Sequence, residues 1–109
     1  MKSPMTPEAA ELIANRFRAL SDPTRLRIID LLRTREEASV GELTEALVAS
    51  QQNDFKHLAA LLAGVFVARR KQGTSALYRI SDPEVLDLCG RVCAGIETQL
   101  AQLEQVFGS

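Results

Sequence analysis

Between Ser39 and Gly64 the chain sets two short amphipathic segments end to end, a pairing that few folds accept. Ser39 followed by Glu42 is a capping box, in which side chain and backbone exchange hydrogen bonds at a helix start. Leu43, Ala46 and Leu47 then supply an apolar stripe, which predicts a helix ending near Val48. Ser50 is a good N-cap for the run QQNDFKHLAALLA, which offers Phe55, Leu58, Leu61 and Leu62 to a core and stops near Gly64. Two short helices joined by a tight turn form a helix-turn-helix.

The flanking segments give that pair its setting. Residues 7–20 repeat Ala9, Leu12, Ile13, Phe17 and Leu20 at helical spacing, and Pro7 suits a first turn. Asp22 then caps a helix that begins at Pro23, runs to about Arg35 and presents Leu26, Ile29, Leu31 and Leu32. Beyond Gly64 the period changes, since VFVARR and SALYRI are β-rich runs around the turn residues KQGT, and a hairpin follows. Ser81, Asp82, Pro83 and Glu84 mark one more helix start. Leu86, Cys89, Val92, Cys93, Ile96, Leu100, Leu103 and Phe107 make a one-sided stripe along a helix of about 25 residues from Pro83 to Phe107. The expected fold is one domain over residues 1–109, mainly α with a small β-hairpin: five helices and a two-stranded wing. A chain of 109 residues buries only about two-thirds of its unfolded surface, and two cysteines cannot form a disulfide framework, so oligomerisation is the expected supplement.

The net charge of -1 argues against a uniformly basic nucleic-acid binder, but the charge is segregated. Residues 1–35 carry +3, residues 36–54 carry -5, residues 55–81 carry +5 with no acid at all, and residues 82–109 carry -4. The acid-free block overlaps the second short helix and contains the hairpin. Gln51, Gln52 and Asn53 open that helix, and amide side chains can pair with the N6 and N7 edge of adenine in the major groove. Lys56 follows on the helix, while Arg69, Arg70, Lys71 and Arg79 lie on the hairpin, where they would meet phosphates. The full set of expected DNA contacts is Ser50, Gln51, Gln52, Asn53, Lys56, His57, Arg69, Arg70, Lys71, Gln72 and Thr74. The bland alternative is a solvated helix start beside a charged hairpin, and a second is a dimerisation or protein-interaction module whose DNA binding is weakened by the negative charge of Asp54.

Other chemistry is thinly represented. His57 is the sole histidine, so no imidazole pair exists for zinc, and it is expected in a structural or DNA-backbone role. Cys89 and Cys93 sit about 6 Å apart on one helix face, which fits two small buried hydrophobes or, alternatively, a thiol pair that binds a soft metalloid or answers oxidants. No carboxylate pair, phosphate-cradling glycine loop or nucleophile arrangement is present, so an enzyme is not expected, nor is a cofactor. No apolar run approaches ~18 residues and the N-terminus carries acids where a signal peptide is apolar, so a cytoplasmic protein without a membrane partner is expected. Asp54 poses a conflict, because its position shares a face with Leu58 and Leu61. Either the helix rotates so that Phe55 takes the core face, or Asp54 stays inside and finds a donor among the N–H groups of the first turn.

The runs RALSDPTRLRIIDLL, GELTEAL, SQQN with KHLAAL, and ARRKQGTSALYRI together resemble the ArsR/SmtB family of bacterial winged-helix repressors over residues 13–81. The resemblance implies a homodimer joined by the first and last helices, here through Leu12, Phe17, Cys89, Val92, Ile96, Leu100 and Leu103, with the helix from Gln51 in the major groove of double-stranded DNA. It also implies repression relieved by an inducer. The family's thiolate site beside GELTEAL is replaced by Ser39, Val40, Gly41, Glu42, Leu43 and Thr44, and the last helix has no histidine, so no metal site is expected, Cys89 and Cys93 being the only soft-ligand candidates. Family members also tend to have an apolar residue at position 54, a small polar one at 55, and a glycine at 65 in place of the Gly64 of this chain.

Overall fold

The computed structural model describes residues 4–48 and 51–108, with Gln51 defined in its backbone alone. Helix α1 spans Pro7–Leu20, with Thr6 accepting from the Ala9 N–H at its start. Helix α2 spans Pro23–Thr34, and the Asp22 carboxylate caps it by accepting from the N–H groups of Thr24 (2.8 Å) and Arg25 (3.3 Å). Helix α3, Val40–Leu47, has both halves of the Ser39–Glu42 capping box in place. Helix α4 covers Gln51–Ala63, and the Ser50 cap lies outside the described residues.

The hairpin is present with a tighter turn than KQGT suggests. Strands continue through Val67–Gln72 and Ser75–Ile80, leaving Gly73 (φ 63°) and Thr74 to reverse the chain. Glycine suits that left-handed position because it has no Cβ to clash. A strand missed by sequence reasoning, Ala38–Ser39, pairs with the second arm, so the expected two-stranded wing is a three-stranded antiparallel sheet. Numbering the strands along the chain gives β1 (Ala38–Ser39), β2 (Val67–Gln72) and β3 (Ser75–Ile80), in the spatial order β1-β3-β2. Helix α5, Glu84–Phe107, closes the chain.

The core collects Ile28, Ile29 and Leu32 of α2, Leu43 and Leu47 of α3, Leu58 and Leu61 of α4, and Val67, Tyr78 and Val85. Three expectations about it need correction. Leu26 is 42% exposed and Ile28 takes its inward place, because α2 turns its 28–29–32 face to the sheet and to α3 and α4. Phe55 is 51% exposed and Asp54 fully buried, so α4 has not rotated to bury the aromatic ring. The two-stranded wing, as above, has a third strand.

The junction between α4 and β2 is tight. A Cβ on buried Gly64 would come within 3.0 Å of the Phe66 ring and 3.1 Å of the Ala19 methyl, so close approach selects glycine there. The left-handed residue of the turn is the next one, Val65, at φ 64°. A β-branched side chain is strained in that region. The turn holds nonetheless, with Val65 N–H donating to the Leu62 carbonyl (3.0 Å) and the Ser81 hydroxyl donating to the Val65 carbonyl (2.8 Å).

Candidate nucleic-acid interface

Helix α4 shows its chemistry by what it hides. Asp54, His57, Leu58 and Leu61 point inward, while Gln52, Asn53, Phe55, Lys56 and Ala59 form the exposed face. Asp54 Oδ2 accepts from the Thr44 hydroxyl at 2.7 Å, and Oδ1 has no hydrogen-bond partner among the described residues. The partner is thus a side chain of α3 rather than an N–H group of the first turn, and it ties the two short helices together. A buried carboxylate is costly without donors, and the Thr44 hydroxyl offsets part of that cost at Oδ2.

His57 was expected among the DNA contacts, but it is 7% exposed and faces α2. Arg25 Nε donates to its Nδ1 at 3.1 Å, and Asp22 Oδ1 lies 3.8 Å from the same nitrogen. The Arg25 guanidinium also donates through Nη1 to the carbonyls of Arg18 (3.3 Å) and Ala19 (3.5 Å) at the end of α1. One arginine therefore links α1, α2 and α4. Partial burial works to raise the Asp22 carboxyl, but the Arg25 and Thr24 N–H groups and nearby positive charge outweigh it and hold the group below its ordinary range.

The sheet sorts its basic residues by face, since residues opposite one another on paired strands share a side. Arg69 opposes Tyr78 and Lys71 opposes Ala76, on the face that begins in the core at Val67. Arg70 opposes Leu77 on the other face, where its Nε and Nη2 donate to the two oxygens of Glu37, both at 2.7 Å. That bidentate pair reaches across β3. Hydrogen bonding from Arg70 is the main reason that the Glu37 carboxyl lies below its usual range, and Glu37 in turn raises Arg70. The expected free cation at position 70 is therefore already occupied, whereas Arg69, Lys71, Gln72 and Thr74 are exposed and make no side-chain hydrogen bond or ion pair among the described residues. Ser50 lies outside those residues, as does the side chain of Gln51. Phe55, which local reasoning assigned to the core, joins Gln52 and Lys56 on the exposed face; the exchanged order of Asp54 and Phe55 was the signal for it.

Away from this surface, α5 exposes Val92, Ile96, Leu100, Leu103, Val106 and Phe107, and α1 exposes Leu12 and Phe17. Cys89 differs from the rest of the expected dimer face, because it is half-buried against the chain's own core. Burial pushes its thiol up, and the charge of Glu97 pushes up that of exposed Cys93, so both are drawn away from the reactive thiolate. Among the described residues no group of three or more His, Cys, Asp or Glu side chains is placed to hold a metal, and no helix is long and apolar enough to cross a membrane.

A model described as a helix-turn-helix domain matches residues 20–70. A Streptomyces lividans protein named "Probable mercury resistance operon repressor" is 38% identical over 72 residues, which are 66% of this chain and 57% of that one, so this chain spans little more than half its length. The Mycobacterium tuberculosis regulator Rv0081 is 36% identical over 80 residues, 72% of this chain and 68% of its own. The crystal structure of Rv0081 superposes with a TM-score of 0.78 over 90% of this chain and 97% of that one, at 29% identity. A solution structure from Mycobacterium bovis, described as the homodimeric winged helix-turn-helix DNA-binding domain of a possible ArsR-family regulator, gives a TM-score of 0.77 at 27% identity, over 93% of this chain and 95% of that domain.

Proposed function

Because the chain belongs to the ArsR/SmtB family of winged helix-turn-helix transcriptional regulators, we propose that it represses transcription from the cytoplasm as a homodimer seated on an inverted-repeat operator. The observation that carries this reading is the exposed face of α4, where Gln52, Asn53 and Lys56 stand clear of a core that fixes the opposite face. The amides read adenine edges in the major groove, and Lys56 meets phosphate. Phe55, exposed on the same face, offers an aromatic ring for apolar contact with a thymine methyl. Arg69 and Lys71 supply affinity that is indifferent to sequence, while Arg70 keeps the sheet in register through Glu37.

The dimer follows from the apolar faces of α1 and α5. The Cα radius of gyration is 16.8 Å, whereas a compact chain of this length has about 13 Å. The far half of α5 projects from the body with its stripe uncovered, and a second copy covers it by two-fold symmetry. Two identical reading helices then require half-sites about one helical turn apart, roughly 10–10.5 bp, or a multiple of that. Selection of bound sites from random DNA, followed by footprinting, tests this: a symmetric site supports the reading, and recovery of no preferred sequence overturns it. Arg69→Ala should weaken binding to all sequences alike and flatten the salt dependence by roughly one unit.

A further inference from the structure

A groove of about 500 Å³ opens between α1 and α4, lined by Arg16 and Arg18 on one side, by Ala60, Ala63 and Gly64 on the other, and by Arg25 of α2. Its volume is in the range of small-molecule sites, and no carboxylate is among the lining residues. Arg16 has neither a hydrogen bond nor an ion pair among the described residues, and Arg18 donates only to the neighbouring Asn15 amide. Arg25 spends Nε and Nη1 on His57 and on two α1 carbonyls, which leaves Nη2 without an acceptor among the described residues. Asp22, the acid beside Arg25, is committed to capping α2. Three arginines therefore line one concavity with donors to spare, and the small residues of α4 form its opposite wall.

We propose that this groove is an effector site for a small organic anion bearing a carboxylate or phosphate group, held by Arg16, Arg18 and Arg25. Guanidinium groups bind both kinds of anion in bidentate fashion. The site is separate from the reading face: Ala60 to Gly64 lie roughly 12–18 Å along α4 from Gln52. Resting on the DNA-binding reading, the consequence is regulation, since the guanidinium that takes the anion is the one that holds His57 of α4. An anion that draws Arg25 toward the groove removes the donor from His57 Nδ1 and loosens the seat of the reading helix. Anion and operator then oppose each other, by the same factor in both directions.

The test begins without DNA. The protein is titrated with inorganic phosphate and with citrate against sodium chloride at equal ionic strength, following the amide resonances of α1 and α4 and the His57 ring. Saturable shifts at Arg16, Arg18 and Ala60 to Gly64, abolished in Arg16→Gln with Arg18→Gln, support the site. Shifts matched by chloride, or unchanged in the double variant, overturn it. Both replaced side chains are exposed, so the variant folds, and its unperturbed core resonances verify that. Operator titrations with and without saturating citrate or phosphate, again at equal ionic strength, then read the coupling: affinity should fall about tenfold in the parent chain and stay level in the double variant. An operator affinity unmoved by bound anion overturns the regulatory half, and because anion binding is measured alone, failure of the chain to bind DNA is told apart from failure of the groove.

Discussion

Helices α4 and α5 both break the rule that apolar side chains go inside, and they break it in opposite ways. Helix α4 buries Asp54 and His57 while exposing Phe55; α5 buries only Val85 and leaves Val92, Ile96, Leu100 and Leu103 open. On α4 the inverted pattern is fixed from within the chain, by Thr44 on Asp54 and Arg25 on His57, so the exposed ring is an isolated apolar point among polar neighbours. On α5 the stripe from Val92 to Leu103 stays more than half exposed among the described residues, and a continuous apolar surface of that kind marks a site of association. Exposure of an apolar residue thus carries meaning only together with what holds the opposite face.

The largest effect should come from breaking the α5 side. Leu100→Glu is expected to give monomer by light scattering and to cost roughly 100-fold in operator affinity, because the second half-site is no longer bound from the same molecule; a folded dimer would put the interface elsewhere and erase the contrast. On the α4 side, Thr44→Val leaves Asp54 buried without its donor and should lower stability by about 1–3 kcal/mol in denaturant unfolding, whereas adding Asp54→Leu should recover most of the loss. If the single variant is as stable as the parent, the inward carboxylate is not what fixes this helix.

A smaller gain is expected where α4 ends. Val65→Gly removes the strain of a β-branched residue at positive φ and adds chain entropy to the unfolded state, for a net stabilisation of about 0.5–1 kcal/mol by thermal melting. No gain would mean that the Ser81 and Leu62 contacts have already relaxed the turn. The smallest effect concerns Glu37. Its carboxyl is held below the ordinary value of 4.5, so the contribution of its pair with Arg70 is complete above that value and is lost as pH falls through the lowered one. Between about pH 6 and 8 DNA affinity should therefore not change through this pair, while Glu37→Gln releases Arg70 and should steepen the salt dependence of binding by roughly one unit. A slope that does not change would show that Arg70 meets no phosphate even when free.

Local chemistry revealed the helices because their starts are written in adjacent residues: Asp22 before Pro23, and Ser39 with Glu42. The hairpin was equally legible from its change of period. What escaped depended on distant partners. Strand β1 is two residues long, too short for any alternation to show, and exists because Ala38 and Ser39 meet Tyr78 and Leu77. Arg70 has no partner in its local sequence, and the Glu37 that pairs with it lies 33 residues away across the sheet; for His57 the choice between a structural and a DNA-backbone role turns on Arg25, 32 residues earlier. For Asp54 the conflict was visible in the sequence but its resolution was not, because the donor comes from another helix.

The sheet order β1-β3-β2 has one more consequence, which concerns solubility. Strand β1 seals one edge of β3 but offers only two residues itself, whereas β2 presents six along the opposite edge of the sheet. An open edge of that length is a template for pairing with another molecule, and clustered positive charge is a common means of preventing it. Arg69, Arg70 and Lys71 lie on that edge, so two such edges repel one another. Arg69 and Lys71, the two that would meet phosphate, also keep copies of the chain from joining edge to edge, and neutralising both at once would expose the sheet to aggregation as well as weaken its hold on DNA.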